Sequence, residues 1–487
     1  MTLFGDGSSL NNDKGGTITG DFTVALYGNA QGTISVFNAG TIQSTNGTAI
    51  TGADEADLIH NSGAIAGSIF LNDGNDLYDG GLGTISGAID LGAGDDVAYG
   101  GAGAESLDGG ADNDTLEGGG GNDTLNGGAE IDTAVFSGTV GATVDLKLID
   151  VQQDTHYGLD VLTGIENLTG GAGADRFTGD GNANVLTGGL GGDVLNGGLG
   201  NDILDGGEGL DTAIFNGTIA AAVDLTLTGQ QDTHHGLDVL TGIENLTGGT
   251  GADRFIGDGS ANQLIGELGA DTLTGGGGSD LRNGGLGNDR LDGGSGLDVL
   301  RFTGAAAATV NLGLKGAQNT GYGLDTVLGI EILWGGIGAD RFTGNSANNA
   351  FIGEAGRDTI AGGGGHDTIA GGAGNDRLSG GSGKDVFVFD TKPDKSANVD
   401  TITDFKRVDD TFRLENAIFS KLDKTGLLKK SCLKIGSKAK DKDDYIVYDK
   451  AKGALYYDAD GSGKGAAVKF AQIAKGTVLD HKDFFII

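Results

Sequence analysis

The sequence predicts an all-β fold: a parallel β-roll in several blocks, preceded by a short parallel β-helix and closed by a C-terminal β-rich cap. Three observations carry this reading. Glycine supplies 99 of 487 residues, far above the usual ~7%, yet proline occurs once, which excludes a collagen-like chain with Gly every third residue. A nine-residue unit, G-G-x-G-x-D-x-U-x with U usually a large apolar residue, recurs in phase 22 times from Leu91 onward, in runs of five, five, six and six. Segments of near-constant length separate the runs.

Residues 118–126, GGGGNDTLN, show the unit clearly. Gly at positions 1, 2 and 4 permits a tight turn with positive φ and lets the backbone approach an ion closely. Asp at position 6 offers a hard oxygen of the kind Ca²⁺ takes. Positions 7–9 make a short strand whose U side chain points inward. Two units form one coil of 18 residues, so units n and n+2 stack, as in the nonapeptide β-roll that binds calcium.

The spacing names the candidate ligands. They are Asp76, Asp96, Asp114, Asp123, Asp132, Asp175, Asp193, Asp202, Asp211, Asp253, Asp271, Asp280, Asp289, Asp298, Asp340, Asp358, Asp367, Asp376 and Asp385. Stacked strands lie ~4.8 Å apart, and two carboxylates at that distance repel by several kcal/mol at an effective dielectric of ~20. About two inward side chains per coil are too few to offset ordering 18 residues at ~1–2 kcal/mol each. A cation between stacked carboxylates answers both deficits. A flexible acidic linker would show no phase between Gly, Asp and the apolar residue. Some units depart from the pattern: Asn184, Asn262 and Asn349 offer a neutral ligand and predict weaker sites, Glu105 replaces one Asp, and Ile85 removes another.

Charge agrees. The net charge is −37. Residues 392–487 hold 19 Lys+Arg and 15 Asp+Glu; the rest therefore holds 12 (31 less 19) and 53 (68 less 15). Such acidity excludes a nucleic-acid partner, which needs basic side chains against phosphate. Cys432 is the only cysteine, so no intramolecular disulfide exists, which fits a cytosolic chain and equally a secreted one stapled by metal instead of sulfur. The N-terminal MTLFGDGSSLNNDKGG has no basic region followed by an apolar run, so no cleavable secretory signal is expected. No stretch of ~18 apolar residues predicts a membrane span.

The expected organisation is a β-helix-like region over 1–90, roll blocks over 91–135, 170–214, 248–301 and 335–389, interruptions over 136–169, 215–247 and 302–334, and a cap over 390–487. In 1–90, NAGTIQSTNGTAI, NSGAIAGSIFL and GLGTISGAIDL recur every 20–23 residues, with Ile and Val facing inward. The interruptions share the pattern HYGLDVLTGIENLTGG and place Asp160, Asp238 and Asp325, and likewise Glu166, Glu244 and Glu331, at equal positions. They read as strand-rich segments that leave the roll and re-enter it, serving as punctuation or as a ridge for glycan or partner. In the C-terminal region Val386–Phe389 is dense in apolar side chains, as a cap over an open solenoid end requires. YYDADGSG starts like an EF-hand loop, but its twelfth position is Lys469, which favours a hairpin.

The nonapeptides, the FVFD…DTITDF passage, the YYDADGSG hairpin and the apolar end DHKDFFII resemble the RTX (repeats-in-toxin), hemolysin-type calcium-binding family, with a C-terminal region similar to that of serralysins. The resemblance implies several Ca²⁺ ions held by the position-6 carboxylates and by neighbouring glycine carbonyls, here Gly119, Gly121, Gly198, Gly200, Gly285, Gly287, Gly363 and Gly365. It also implies export from a Gram-negative bacterium through type I ABC-transporter machinery, on an uncleaved C-terminal signal, and folding outside the cell.

Enzyme motifs are missing. There is no HExxH, no GxSxG and no complete P-loop. His234-His235 reads as a surface pair. The expected function is therefore a non-enzymatic, secreted calcium-binding protein of the cell surface or extracellular matrix: adhesin, surface layer, or biofilm or filament scaffold, with self-association or a surface glycan as further partners. The rival is a polysaccharide-active β-helix using Asp54, Asp57 or Asp73. An ice-binding roll would need a regular Thr/Asn row, and position 3 runs Ala102, Ala111, Gly120, Ala129.

Overall fold

The computed structural model describes residues 2–4, 9–20, 24–27, 33–422 and 424–487. Among the described residues the architecture is all-β, with only two short 3-10 turns, Lys430–Cys432 and His481–Asp483. No described helix is long and apolar enough to cross a membrane.

Each nonapeptide bends at its glycines and then runs as a strand. Strand Thr115–Gly119 alternates half-buried and buried, with Leu116 and Gly118 inward, the period of two that a pleated strand imposes. Units two apart pair in parallel with an 18-residue offset: Ile89 opposes Leu107, which opposes Leu125, and on the other side Ala98 opposes Leu116, which opposes Ala134. These side chains are essentially inaccessible, so each coil has a core two side chains wide. This is the parallel β-roll the spacing predicts.

The chain forms two compact units. The first comprises Met1–Phe215 and Leu227–Leu246. Its first row of parallel strands begins with Thr2–Phe4 and Val24–Tyr27 and runs through Thr41–Thr51, Ala64–Phe70, Ile89–Ala93, Ser106–Ala111 and Thr124–Ala129 to Leu159–Thr163. A second row starts at Ser9–Asn12 and ends at Leu237–Thr241. The N-terminal coils are a parallel β-helix: Val36, Ile42, Ile59 and Ile65 are buried. One of their corners is an asparagine ladder, Asn12 Nδ2 to Asn38 Oδ1 at 2.7 Å and Asn38 Nδ2 to Asn61 Oδ1 at 2.8 Å.

The second unit comprises Asn216–Thr226 and Thr247–Ile487. One of its rows runs through Leu281–Asn283, Val299–Arg301, Ile332–Trp334, Ala350–Ile352, Thr368–Ala370, Val386–Phe389 and Thr411–Leu414 to Phe484–Ile486. Its C-terminal part holds a thicker core, with Phe412 stacked on Phe405 (4.3 Å between ring centres) and on Phe484 (4.9 Å). Ala454–Tyr457 and Val468–Gln472 pair antiparallel about the YYDADGSG turn.

The interruptions differ from expectation: they do not leave the roll. In 136–169, Leu159–Thr163 pairs with Thr124–Ala129, Asn167–Thr169 pairs with Thr133–Val135, and Thr143–Asp145 starts a new row against Arg176–Thr178. The same three moves recur in 302–334. The interruption is an enlarged coil. It ends one row with a short antiparallel strand, Gln153–Asp154 against Leu159–Asp160, and opens another. The physical reason is hydrogen bonding: a buried parallel row needs its backbone groups satisfied across the gap, and a segment that left would orphan them.

Candidate metal centre

The Asp side chains of successive coils form ladders. The backbone N–H of most position-6 residues donates to Oδ1 of the Asp one coil on: Asp96 to Asp114 at 2.9 Å, Asp114 to Asp132 at 2.8 Å, Asp175 to Asp193, Asp193 to Asp211 and Asp253 to Asp271 at 2.7 Å each. The same bond links Asp271 to Asp289, Asp280 to Asp298, Asp340 to Asp358, Asp358 to Asp376 and Asp367 to Asp385, at 2.7–3.0 Å. Glu105 donates in this way to Asp123, and Asn184 to Asp202.

The second oxygen is different. Oδ2 of Asp76, Asp96, Asp114, Asp132, Asp193, Asp211, Asp271, Asp289, Asp298, Asp358, Asp367, Asp376 and Asp385 is buried and has no hydrogen-bond partner. A Cβ added to Gly109 would collide with Asp114 Oδ2 and with the Gly127 carbonyl of the next coil. The orphan oxygen therefore faces a carbonyl across a gap that only glycine leaves open. The candidate glycines hold the loop in this shape, with φ from +80° at Gly285 to +158° at Gly287, a region that other residues rarely adopt.

A buried carboxylate without a partner is costly. Burial first, then neighbouring carboxylates, pushes the pKa of Asp114 up to about 7 and those of Asp76 and Asp358 up to about 8. A cation at Oδ2 removes both penalties. Hard oxygen donors and facing carbonyls suit Ca²⁺. Among the described residues no three His, Cys, Asp or Glu side chains converge as a metal site, so backbone oxygens would complete the shell. The residues present fit calcium.

Not every predicted ligand has a free oxygen. Asp175, Asp253 and Asp340, each first in its run, turn Oδ2 to the N–H of Gly171, Gly249 and Gly336 at 3.0, 3.0 and 3.1 Å. Asp280 is paired with Arg282. Asp123 and Asp202 are buried rungs, receiving at Oδ1 the N–H of Glu105 and Asn184. The asparagines are amide rungs: Asn184 Oδ1 accepts from Asp180 N–H at 2.9 Å, and its Nδ2 donates to the Glu166 carbonyl at 2.7 Å. An N–H₂ group thus points where a weak ligand was expected.

Several rungs escape the 18-residue reading. Asp57 donates its N–H to Asp76 at 2.6 Å, extending a ladder into the β-helix; it is buried and is not on an accessible face. Asp160, Asp238 and Asp325 receive the N–H of Asp123, Asp202 and Asp289, 36–37 residues earlier, at 2.8–2.9 Å. Glu166, Glu244 and Glu331 receive those of Asp132, Asp211 and Asp298. At the far end Asp400 and Asp410 receive those of Asp376 and Asp385 at 3.1 Å. The equal placement of the interruption acids was the available signal; irregular offsets hid the rest. His235, at the place of Tyr157 and Tyr322, packs edge-on against Phe215 with ring centres 5.5 Å apart.

The family described as "RTX calcium-binding nonapeptide repeat (4 copies)" matches at residues 89–116, 99–134, 162–195, 178–213, 240–273, 247–281, 265–300, 325–360 and 352–387. These segments carry RTX calcium-binding nonapeptide repeats. RTX nonapeptides bind calcium, and the repeat copies here imply several ions. No curated protein matches the chain. Among solved structures, the extracellular lipase LipA from Serratia marcescens matches at 17% identity over 48% of this chain and 40% of that one, with a TM-score of 0.17. The overlap spans less than half of the lipase, and a TM-score so low carries no argument about this chain's fold or activity.

Proposed function

We propose that this protein is exported, folds on calcium outside the cell and serves as a structural or adhesive component of the cell surface or extracellular matrix. The observation that carries the reading is the ladder of buried carboxylates, thirteen of them with Oδ2 unpaired. Such a ladder is disfavoured where calcium is scarce, as inside a cell, and favoured where it is abundant. The proposed ligands are the position-6 Asp residues with an orphan Oδ2, assisted by the facing glycine carbonyls. The proposed exit route is type I secretion directed by the region after Phe389. The cap's stacked phenylalanines give the last coils a firm end on which the roll can order.

The test is a calcium titration of the full chain from EGTA, read by far-UV circular dichroism and sedimentation velocity, with magnesium as control. A cooperative gain of β signal with calcium alone supports calcium-driven folding, and larger species at the same calcium level support the scaffold role. A chain fully folded in EGTA would remove the basis of the proposal.

A further inference from the structure

The unit at Gly275 reads GGGGSDLRN, which puts Arg282 at the inward position occupied by Leu, Phe, Ile or Ala in the other units. Arg282 is completely buried. It sits in the apolar column between Leu264 and Leu300, both also buried. Its Nη2 donates to Asp280 Oδ2 at 3.0 Å, to the Gly293 carbonyl at 2.5 Å and, more loosely, to Asp298 Oδ1 at 3.4 Å. Its Nε and Nη1 are buried without partners. A guanidinium so placed is costly unless its charge is matched, and the match comes from two ladder carboxylates.

The position of Nη2 is the informative part. At Gly109 an added Cβ would meet Asp114 Oδ2 and the carbonyl of Gly127, the first glycine of the next coil. At Gly275 it would meet Asp280 Oδ2 and Arg282 Nη2, and Nη2 in turn is bonded to Gly293, again the first glycine of the next coil. The guanidinium fills the gap that other rungs leave between carboxylate and carbonyl. Asp280 Oδ2 is accordingly satisfied, whereas that of Asp271 and Asp289 is not.

We propose that Arg282 is a built-in cation that takes the place of one calcium ion at the step between Asp280 and Asp298. This step then closes without metal and gives the third block a fixed point at calcium levels too low to order the rest. The inference rests on the reading of the orphan oxygens as calcium ligands.

The experiment is native mass spectrometry of the full chain at saturating calcium, counting bound ions, with circular dichroism to confirm the fold. The variants are Asp271→Asn, Asp280→Asn and Arg282→Leu. The expected results are fewer ions in Asp271→Asn, an unchanged count in Asp280→Asn and one additional ion in Arg282→Leu. Loss of an ion in Asp280→Asn, or no gain in a folded Arg282→Leu, would overturn the Arg282 inference alone. An unchanged count in Asp271→Asn would overturn the ladder reading and this inference with it. Should Arg282→Leu fail to fold, Asp280→Asn still decides.

Discussion

The backbone N–H of Asp358 donates to Oδ1 of Asp376 at 2.8 Å, while Oδ2 of each residue lies buried with nothing bonded to it. One carboxylate thus has two tasks. One oxygen ties its coil to the coil before; the other is left for a cation. The separation of tasks makes them testable independently.

Asp193→Asn keeps an oxygen for the Asp175 N–H, a 2.7 Å bond in the native chain, and removes the charge at Oδ2. The expected outcome is a several-fold higher calcium midpoint for folding with a native-like spectrum at saturation. Asp193→Ala also loses the backbone acceptor, which should cost a further ~1–3 kcal/mol for the unsatisfied N–H. Chemical denaturation at saturating calcium separates the two. Equal behaviour of the variants would mean that the two oxygens do not divide the work.

The pH dependence has an unusual sign for an acidic protein. Asp96, Asp114 and Asp271 are pushed up to about 7, and Asp132, Asp193 and Asp289 to about 6, chiefly by burial and in most cases with help from neighbouring carboxylates. The metal-free folded state therefore holds protons more tightly than the unfolded chain. Its stability from these groups is complete below the ordinary carboxylate value and is lost as pH rises from there through about 6 to 7. In EGTA, any residual β signal should fall from pH 5 to pH 8. Calcium needs the ionised form, so the calcium midpoint should rise on acidification. A residual β signal in EGTA that rises with pH would contradict this account.

The legible part of the fold was the part with a strict period. The nonapeptide phase places Leu107, Leu116 and Leu125 inward and stacks Asp96 on Asp114, and the structure shows both. What escaped follows from offsets that vary. Asp57 to Asp76 is 19 residues, Asp123 to Asp160 is 37 and Asp385 to Asp410 is 25. A ladder is defined by strand register, and a loop of any length can sit between two rungs without disturbing it. Arg282 escaped for another reason. A cationic side chain at an apolar position makes sense only once the orphan carboxylate beside it is visible.

Asn184→Asp should add an ion and a liability together. The amide now bridges the Asp180 N–H and the Glu166 carbonyl, at 2.9 and 2.7 Å. The carboxylate keeps the first bond and loses the second. The lost bond should cost the metal-free fold roughly 1–3 kcal/mol, so any residual β signal in EGTA should weaken, and bound calcium at saturation should increase. A variant that loses stability without gaining an ion would show that the amide rung is not a converted calcium step.

Gly120 and Gly121 are adjacent and should respond oppositely to alanine. A Cβ at Gly120 has only Ala102 Cα, at 4.0 Å, nearby. At Gly121, where φ is +127°, it would strike the Gly103 carbonyl. Gly121→Ala should cost at least ~1–3 kcal/mol from backbone strain alone, and Gly120→Ala should stay within about 0.5 kcal/mol of native. Thermal melts at saturating calcium provide the comparison, and matching melts would refute the turn geometry.

The interruptions carry a device that separates structure from metal. Thr155 Oγ1 donates to Asp160 Oδ2, as Thr233 does to Asp238 and Thr320 to Asp325. All six residues are buried, and in each interruption the acid's other oxygen takes the N–H of a rung in the preceding block. The hydroxyl therefore satisfies the oxygen that remains orphaned on a typical block rung, so the enlarged coil continues the ladder without needing a cation. Thr155→Val keeps the shape and removes the donor. It should destabilise the calcium-saturated protein by about 1–3 kcal/mol, whereas Thr155→Ser should cost far less. The loss should be the same at every calcium concentration that supports the fold, because no ion is involved. If the destabilisation of Thr155→Val disappears as calcium is raised, Asp160 is a calcium ligand and the hydroxyl only a placeholder.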